Sequence, residues 1–173
     1  MGARPCWRPL ARYVAQFRDY FAKQVKPDGT LSHLQRCILS AKGWRRLRSP
    51  RDGHCQFHSV GFAVSESHEL VRAHAVRWIR ANPTECLSFL TSEDAHNADL
   101  SDLEQYVQGM ADGAWGDNLT LYALSHHYKQ AVCVLTDHME KPWCRINPDF
   151  GDPIHVAFYA EVHYDAIDCD VGP

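Results

Sequence analysis

The octapeptide Asp52-Gly53-His54-Cys55-Gln56-Phe57-His58-Ser59 constrains this chain more than any other stretch. Asp and Gly are turn and N-cap residues, whereas Cys55, Phe57, Val60, Phe62, Ala63 and Val64 behind them supply the apolar surface of a buried helix. The pattern predicts a helix capped by Asp52, with Cys55 in its first turn. Backbone N–H groups and the positive end of the helix dipole gather at such a start. They favour thiolate over thiol and present donors to a developing oxyanion. Two readings fit Cys55: a nucleophile, or a small buried apolar residue, as cysteines commonly are. The first requires a histidine elsewhere in the chain to act as base.

At 173 residues, 45% hydrophobic and 23% charged, the chain is long enough to bury a substantial core. One domain is expected over residues 1–173, its motif-bearing core at about 44–167 preceded by a helical segment over 9–43. The net charge of -3, from 18 basic and 21 acidic residues, supplies no global basic field, so nucleic acid is not an expected partner. A local run, Arg45, Arg46, Arg48 and Arg51, reads as a solvated strand or loop edge, with a surface for an acidic partner as the second reading. Seven scattered cysteines, an odd number, do not form a disulfide framework and point to a reducing compartment. There is no C-x-x-C pair, so the ligand spacing of common structural zinc sites is missing; neither metal nor cofactor is expected. No apolar run approaches transmembrane length, and the start Met1-Gly2-Ala3-Arg4-Pro5-Cys6 lacks a signal-peptide core. Gly2 resembles a myristoylation site, but Cys6 stands where Ser or Thr is expected.

Leu10, Tyr13, Val14, Phe17, Tyr20 and Phe21 recur at helical spacing, and Leu31 to Ala41 repeats the pattern up to Gly43. Trp44 to Arg48 is expected to be extended. Ser67 is a candidate N-cap for a helix burying Val71, Ala75, Trp78 and Ile79, ended by Asn82-Pro83. Thr84 to Leu90 reads as a further short helix. Ser101-Asp102-Leu103-Glu104 reads as a capping box for a helix ending near Gly113, and Trp115-Gly116-Asp117 introduces another with Leu121, Leu124 and Tyr128 on one face. Strands are expected at Ala131 to Thr136, Trp143 to Asn147 and Ile154 to Ala160, with turns at Asp137 to Pro142 and Pro148 to Pro153. Helices followed by strands indicate an α+β domain.

After the last of these strands comes Val162-His163-Tyr164-Asp165-Ala166-Ile167. On extended backbone, residues i and i+2 share a face. Asp165 can therefore accept from one ring nitrogen of His163 while the other faces Cys55, the nucleophile, base and orienter of a catalytic triad. A surface His beside a surface Asp is the alternative. His126-His127 lie on a predicted helix, and His54 and His58 are not spaced to orient each other.

Together these pieces resemble the ovarian tumour (OTU) cysteine proteases. The octapeptide is similar to their nucleophile motif Asp-Gly-Asn-Cys-x-Phe/Tyr-Arg/His-Ser/Ala, with His54 where Asn is usual. His163-Tyr164-Asp165 is similar to their catalytic His, aromatic, Asp/Asn, and Trp115-Gly116 with the following helix and strand matches the segment between. The wording His58-Ser59 and His163-Tyr164-Asp165-Ala166 is most similar to viral and bacterial-effector members. The resemblance covers roughly Trp44 to Ile167. It implies a papain-like fold with a central mixed β-sheet between helical layers, and a deubiquitinating thiol isopeptidase acting on ubiquitin, polyubiquitin or ubiquitin-like conjugates. It implies Cys55 as nucleophile, His163 as base then acid, and Asp165 as orienter, with Asp52 the next candidate for that part. Asp52, Gly53 and the Cys55 N–H would shape the oxyanion hole. Trp115 and Tyr164 are candidates for the wall of a channel that admits a Gly-Gly tail, Trp115 equally a candidate for the core. A catalytically inactive ubiquitin-binding module on the same fold is the alternative. A monomer in the cytoplasm, the host's if the chain is of viral or effector type, is the accompanying expectation. Cys55 is expected to be the most readily alkylated cysteine, with Cys37, Cys86, Cys133 and Cys144 buried or slow, and Cys6 and Cys169 as competitors.

Overall fold

Several of the described helices begin or end on local signals. A computed structural model describes residues 31–90, 98–159 and 163–169; the helix expected at Leu10 to Phe21 lies outside them. Helix α1 (His33–Lys42) starts on a Ser32–Gln35 capping box and stops at Gly43, whose φ of 68° is the left-handed region that favours glycine. A short strand β1 (Arg45–Leu47) follows, then the octapeptide turn and α2 (Cys55–Val64). Ser67 caps α3 (His68–Ala81), which gives way at Asn82 to α4 (Pro83–Leu90). Helix α5 (Leu100–Ala111) is capped by Asp99, not Ser101: the Asp99 carboxylate accepts the Ser101 and Asp102 N–H groups at 2.7 and 3.1 Å, shifting the start two residues upstream. Asp117 caps α6 (Asn118–Tyr128) in the same way.

The strands β2 (Gln130–Leu135), β3 (Trp143–Ile146), β4 (Gly151–Tyr159) and β5 (His163–Asp168) join β1 in a five-stranded sheet of order β1-β5-β4-β2-β3. The β2–β4 pair is parallel and the other pairings are antiparallel, so the sheet is mixed. Two details depart from the expectations. Strand β4 opens at Gly151, inside the expected turn, because a register shift between the Gln130 and Val132 pairings takes up the stretch holding Pro153, which has no N–H to give a ladder. The His163 segment is itself a strand, between β1 and β4.

The central strands are buried on both faces, and successive residues turn to two different cores. Val132, Val134, Val156 and Tyr164 pack with Phe57, Val60, Val71 and Ile79 in the larger core. Leu135, Ala157, Tyr159 and Ile167 pack with Leu31 and Leu39 in a smaller one. Gln35 fastens α1 over that second core: its amide, fully buried, donates to the carbonyls of Leu135 at 3.0 Å and Phe158 at 2.8 Å. Helices thus cover the sheet, giving the expected α+β architecture. No described helix is long and apolar enough to cross a membrane.

Candidate active site

Cys55 is the first residue of α2 and is half-buried. The residue at the cap is His54, which makes no side-chain capping bond; Asp52 does not cap the helix as expected. Its carboxylate turns back instead, Oδ1 accepting the His54 N–H at 2.9 Å and Oδ2 pairing with His58 Nε2 at 2.9 Å. Burial works against the Asp52 charge, but the His58 imidazole and the His54 N–H outweigh it and hold the carboxyl at about 2. Gly53 carries a φ of 87°, which makes the tight turn into the helix.

His163 and Asp165 share one face of β5, as the i, i+2 spacing requires, and both are buried. His163 Nε2 lies 3.2 Å from Asp165 Oδ1. The hydrogen bond to Asp165, followed by one to the Cys55 thiol, raises the imidazole pKa to about 9 against the opposing effect of burial. With Nε2 turned to the carboxylate, Nδ1 is the nitrogen left for the thiol. Asp165 is fully buried. Burial pushes its carboxyl upward, yet His163, the Ser49 N–H, Tyr159 and Arg46 hold it at about 2.

A chain of hydroxyls ties the two halves. Ser49 donates its N–H to Asp165 Oδ1 at 2.8 Å, and its hydroxyl lies 2.8 Å from Ser59 Oγ, which in turn donates to the Cys55 carbonyl at 2.7 Å. Ser59, the last residue of the octapeptide, thereby links the start of the nucleophile helix to the carboxylate of β5.

Trp115 is 62% exposed and is not a core residue. A Cβ on Gly53 would sit 3.5 Å from its indole nitrogen, so the ring stands over the turn that precedes Cys55. Tyr164 is placed differently from its expectation. As i+1 to His163 it points to the opposite face of β5, where it is buried with Phe158 at a ring separation of 4.6 Å. Gln56, also buried, donates to the Asp117 carbonyl at 3.0 Å and accepts from Thr120 at 2.6 Å, fixing α2 against the start of α6. Gly116 has no room for a side chain there, since a Cβ would press on Gln56 and lie 3.1 Å from Phe57.

His54 is braced by Arg72, whose guanidinium donates to Nδ1 at 2.7 Å and to the carbonyls of Met110 and Ala114 at 2.7 and 2.8 Å. A groove of about 810 Å³ begins at His54 and runs along α3, lined by His68, Arg72, Arg77, Arg80 and Asp112. Cys55, His163 and Asp165 do not line it, so it adjoins the reacting groups without containing them.

Three contributors to the site carried no signal of their own: Arg46, Ser49 and Tyr159. Of the run expected on a solvated edge, Arg45 is exposed on the edge strand and pairs with Asp168, whereas Arg46 is drawn in to pair with Asp165. Cys37, expected to be buried or slow, is exposed.

The OTU-like cysteine protease family model matches residues 50–164, which contain the octapeptide and reach Tyr164. Among curated proteins, the OVARIAN TUMOR DOMAIN-containing deubiquitinating enzyme 12 of Arabidopsis thaliana is 29% identical over 150 residues, 81% of this chain and 64% of that protein. Deubiquitinating enzyme 11 of the same series is 27% identical over 148 residues, 81% of this chain and 57% of its own length. The chain thus spans somewhat over half the length of these two relatives. Among solved structures, the OTU domain of OTUD1 superposes with a TM-score of 0.60 at 22% identity, covering 77% of this chain and 91% of that one. An OTU domain solved in complex with ubiquitin gives 0.58 at 21% identity, over 72% of this chain and 69% of that one. With the family model matched across the nucleophile helix and most of the sheet, the chain belongs to the OTU-like cysteine proteases.

Proposed function

We propose that the chain is a deubiquitinating thiol isopeptidase in which Cys55 is the nucleophile, His163 the base and then acid, and Asp165 the orienter of His163. The observation that carries this reading is a single one: the His163 imidazole is hydrogen-bonded both to a buried, ionised Asp165 and to the thiol at the start of α2. The names of the curated relatives, deubiquitinating enzymes, support the choice of ubiquitin or a ubiquitin-like protein as the acyl donor.

An imidazole with a pKa near 9 carries its proton at neutral pH, which suits a thiolate–imidazolium pair. The Cys55 sulfur attacks the carbonyl carbon of the modifier's last glycine. Negative charge moves to the carbonyl oxygen, where the Cys55 N–H at the helix start, with the Asp52-Gly53 turn, forms the oxyanion hole. The C–N bond then breaks as His163 gives its proton to the departing lysine amine. In the second half a water passes a proton to His163 as its oxygen attacks the thioester; the C–S bond breaks, and the thiolate and imidazolium return. The exposed Trp115 ring over Gly53 narrows the approach, which favours a tail of glycines.

A ubiquitin protein ending in a thiol-reactive electrophile tests the reading, alongside a panel of ubiquitin-like proteins carrying the same group. A one-to-one adduct mapping to Cys55, absent from Cys55→Ala, is the expected result. Folded protein that forms no adduct with any member of the panel would overturn it and favour an inactive binding module.

A further inference from the structure

We propose that Arg46 is a positioning residue for this reaction, acting with Tyr159 through Asp165 to hold the His163 imidazole in line with Cys55. The inference rests on the reading of Asp165 as orienter and extends it to a residue on a different strand.

Strand pairing brings these groups together. Arg46 is paired with Ile167, and Asp165 is the next residue along β5 on the same face, so Arg46 reaches it diagonally. From the other side Tyr159 is paired with His163 and is diagonal to Asp165. Three adjacent strands, β1, β5 and β4, thus place a guanidinium, a carboxylate with its imidazole, and a phenol on one face of the sheet.

The carboxylate is saturated by this arrangement. Oδ1 accepts from Ser49 N–H at 2.8 Å and from His163 at 3.2 Å. Oδ2 accepts from the Arg46 Nε–H and from the Tyr159 hydroxyl, the latter at 2.9 Å. Arg46 closes a triangle by donating a second N–H to the Tyr159 oxygen at 2.7 Å. A carboxylate has about four lone-pair directions, and four donors fill them. Rotation about the Cβ–Cγ bond would break bonds at both oxygens, so the oxygen that meets His163 cannot wander. The planar fork matters as much as the charge, since an ammonium cannot satisfy carboxylate and phenol in the same way. A brace that merely joined β1 to β5 needs no such convergence; the exposed Arg45–Asp168 pair at 2.7 Å already joins the same two strands.

The groups facing the His163–Asp165 pair are Cys55 from α2, Tyr159 from β4, and Arg46 and the Ser49 N–H from β1 and the residues after it, with Arg51 acting on Tyr159 through space. The sign of a pH effect therefore discriminates. Removing a nearby cation would by itself raise the imidazole pKa. Releasing Asp165 from its clamp weakens the bond that raises His163 most, which lowers it.

The experiment compares pH profiles of kcat/KM for ubiquitin cleavage in Arg46→Met, Arg46→Lys and Tyr159→Phe, with thermal melts for each. Arg46→Met is expected to lower kcat roughly 10- to 100-fold with KM little changed, in the range that misplacement of a reacting group produces. Its alkaline limb should move to lower pH. Arg46→Lys and Tyr159→Phe should give smaller losses with the limb displaced the same way, and they carry the test if Arg46→Met does not fold. In an Asp165→Asn background, Arg46→Met should add little. An alkaline limb that stays in place or rises, with activity lost only in proportion to folded protein, would overturn the inference. Should Asp165→Asn itself match wild type in rate and limb, the orienter reading fails first; should it move the limb while no Arg46 or Tyr159 variant does, only the present inference fails.

Discussion

Two aspartates flank the reacting groups, and both carboxyls are held at about 2, but by opposite means. Asp165 is fully buried and pays for its charge with converging donors from three neighbouring segments. Asp52, its side chain 43% exposed, keeps its charge with one backbone N–H and one imidazole, all within its own octapeptide. A buried carboxylate that loses a donor is left desolvated, whereas an exposed one exchanges that donor for water. The β5 side of the site is therefore built to stay in one geometry, and the turn before Cys55 is built from local, replaceable bonds. The two sides meet at the Cys55 thiol and along the Ser49–Ser59 hydroxyl chain.

The meeting point is where the largest effects belong. Cys55→Ala should abolish hydrolysis, a loss of about 10³-fold or more, while a ubiquitin-binding measurement and the thermal melt stay near wild type. His163→Ala should be nearly as severe, because the same imidazole accepts and returns the proton; single-turnover acylation reads this directly. A normal acylation rate in His163→Ala would identify another base and dissolve the contrast between the two sides.

Next comes the buried aspartate. Asp165→Ala is expected to cost about 10²-fold, and Asp165→Asn less, since an amide oxygen can still accept from the imidazole. The alkaline limb of the rate profile gives an independent reading. With wild-type His163 at about 9, the protonated imidazole is retained below that pH and lost above it. Because the Asp165 hydrogen bond is the largest contributor to the elevation, Asp165→Ala should bring the limb down toward the ordinary imidazole range of about 6.5. Asp52 variants should leave it where it is, and a limb that moved equally in both would show that the two carboxylates act alike.

A packing variant sharpens the comparison from the Cys55 side. Gly116→Ala would drive a methyl against Gln56 and Phe57, the residues that seat α2 on α6. Overpacking of this kind costs about 1–3 kcal/mol, read as a lower denaturation midpoint. If α2 shifts to relieve the contact, Cys55 shifts with it, and kcat should fall while the alkaline limb moves less than in Asp165→Ala, because the Cys55 bond is the lesser of the two that raise His163.

What could be read from the chain follows the same division. The start of α2 at Cys55, the Gly43 stop, the Ser67 cap and the break at Asn82-Pro83 are local, each decided by neighbouring residues. The i, i+2 spacing of His163 and Asp165 likewise needs only extended backbone. Arg46 and Tyr159 lie 119 and 6 residues from Asp165, and what brings them to it is strand register, which no local pattern states. Tyr164 is a channel candidate only by resemblance, and the alternation of the strand sends it to the core. The Asp52 cap failed for a subtler reason: Asp52 stands three residues before the first helical residue, and a nearer imidazole took its second oxygen.

The smallest effect should come from the exposed aspartate. Asp52→Asn keeps an oxygen for the His54 N–H at the 2.9 Å contact, so the turn can persist. What it loses is the charge paired with His58. Since Asp52 is 43% exposed and water can replace its contact with His58, the loss should be no more than several-fold in kcat/KM, roughly as for other exposed polar pairs. Two signatures separate it from Asp165. Exposed pairs are screened by salt, so raising ionic strength should narrow the gap between wild type and Asp52→Asn but leave the Asp165→Asn deficit intact. The folded carboxyl of Asp52 also lies below its ordinary value, so its contribution to stability is present above about pH 4 and is lost as pH falls through about 2. Melting curves of the two proteins should therefore converge in acid and separate toward neutral pH. A deficit at Asp52 as large as that at Asp165, unmoved by salt, would mean that the turn before Cys55 is as rigidly committed to catalysis as β5.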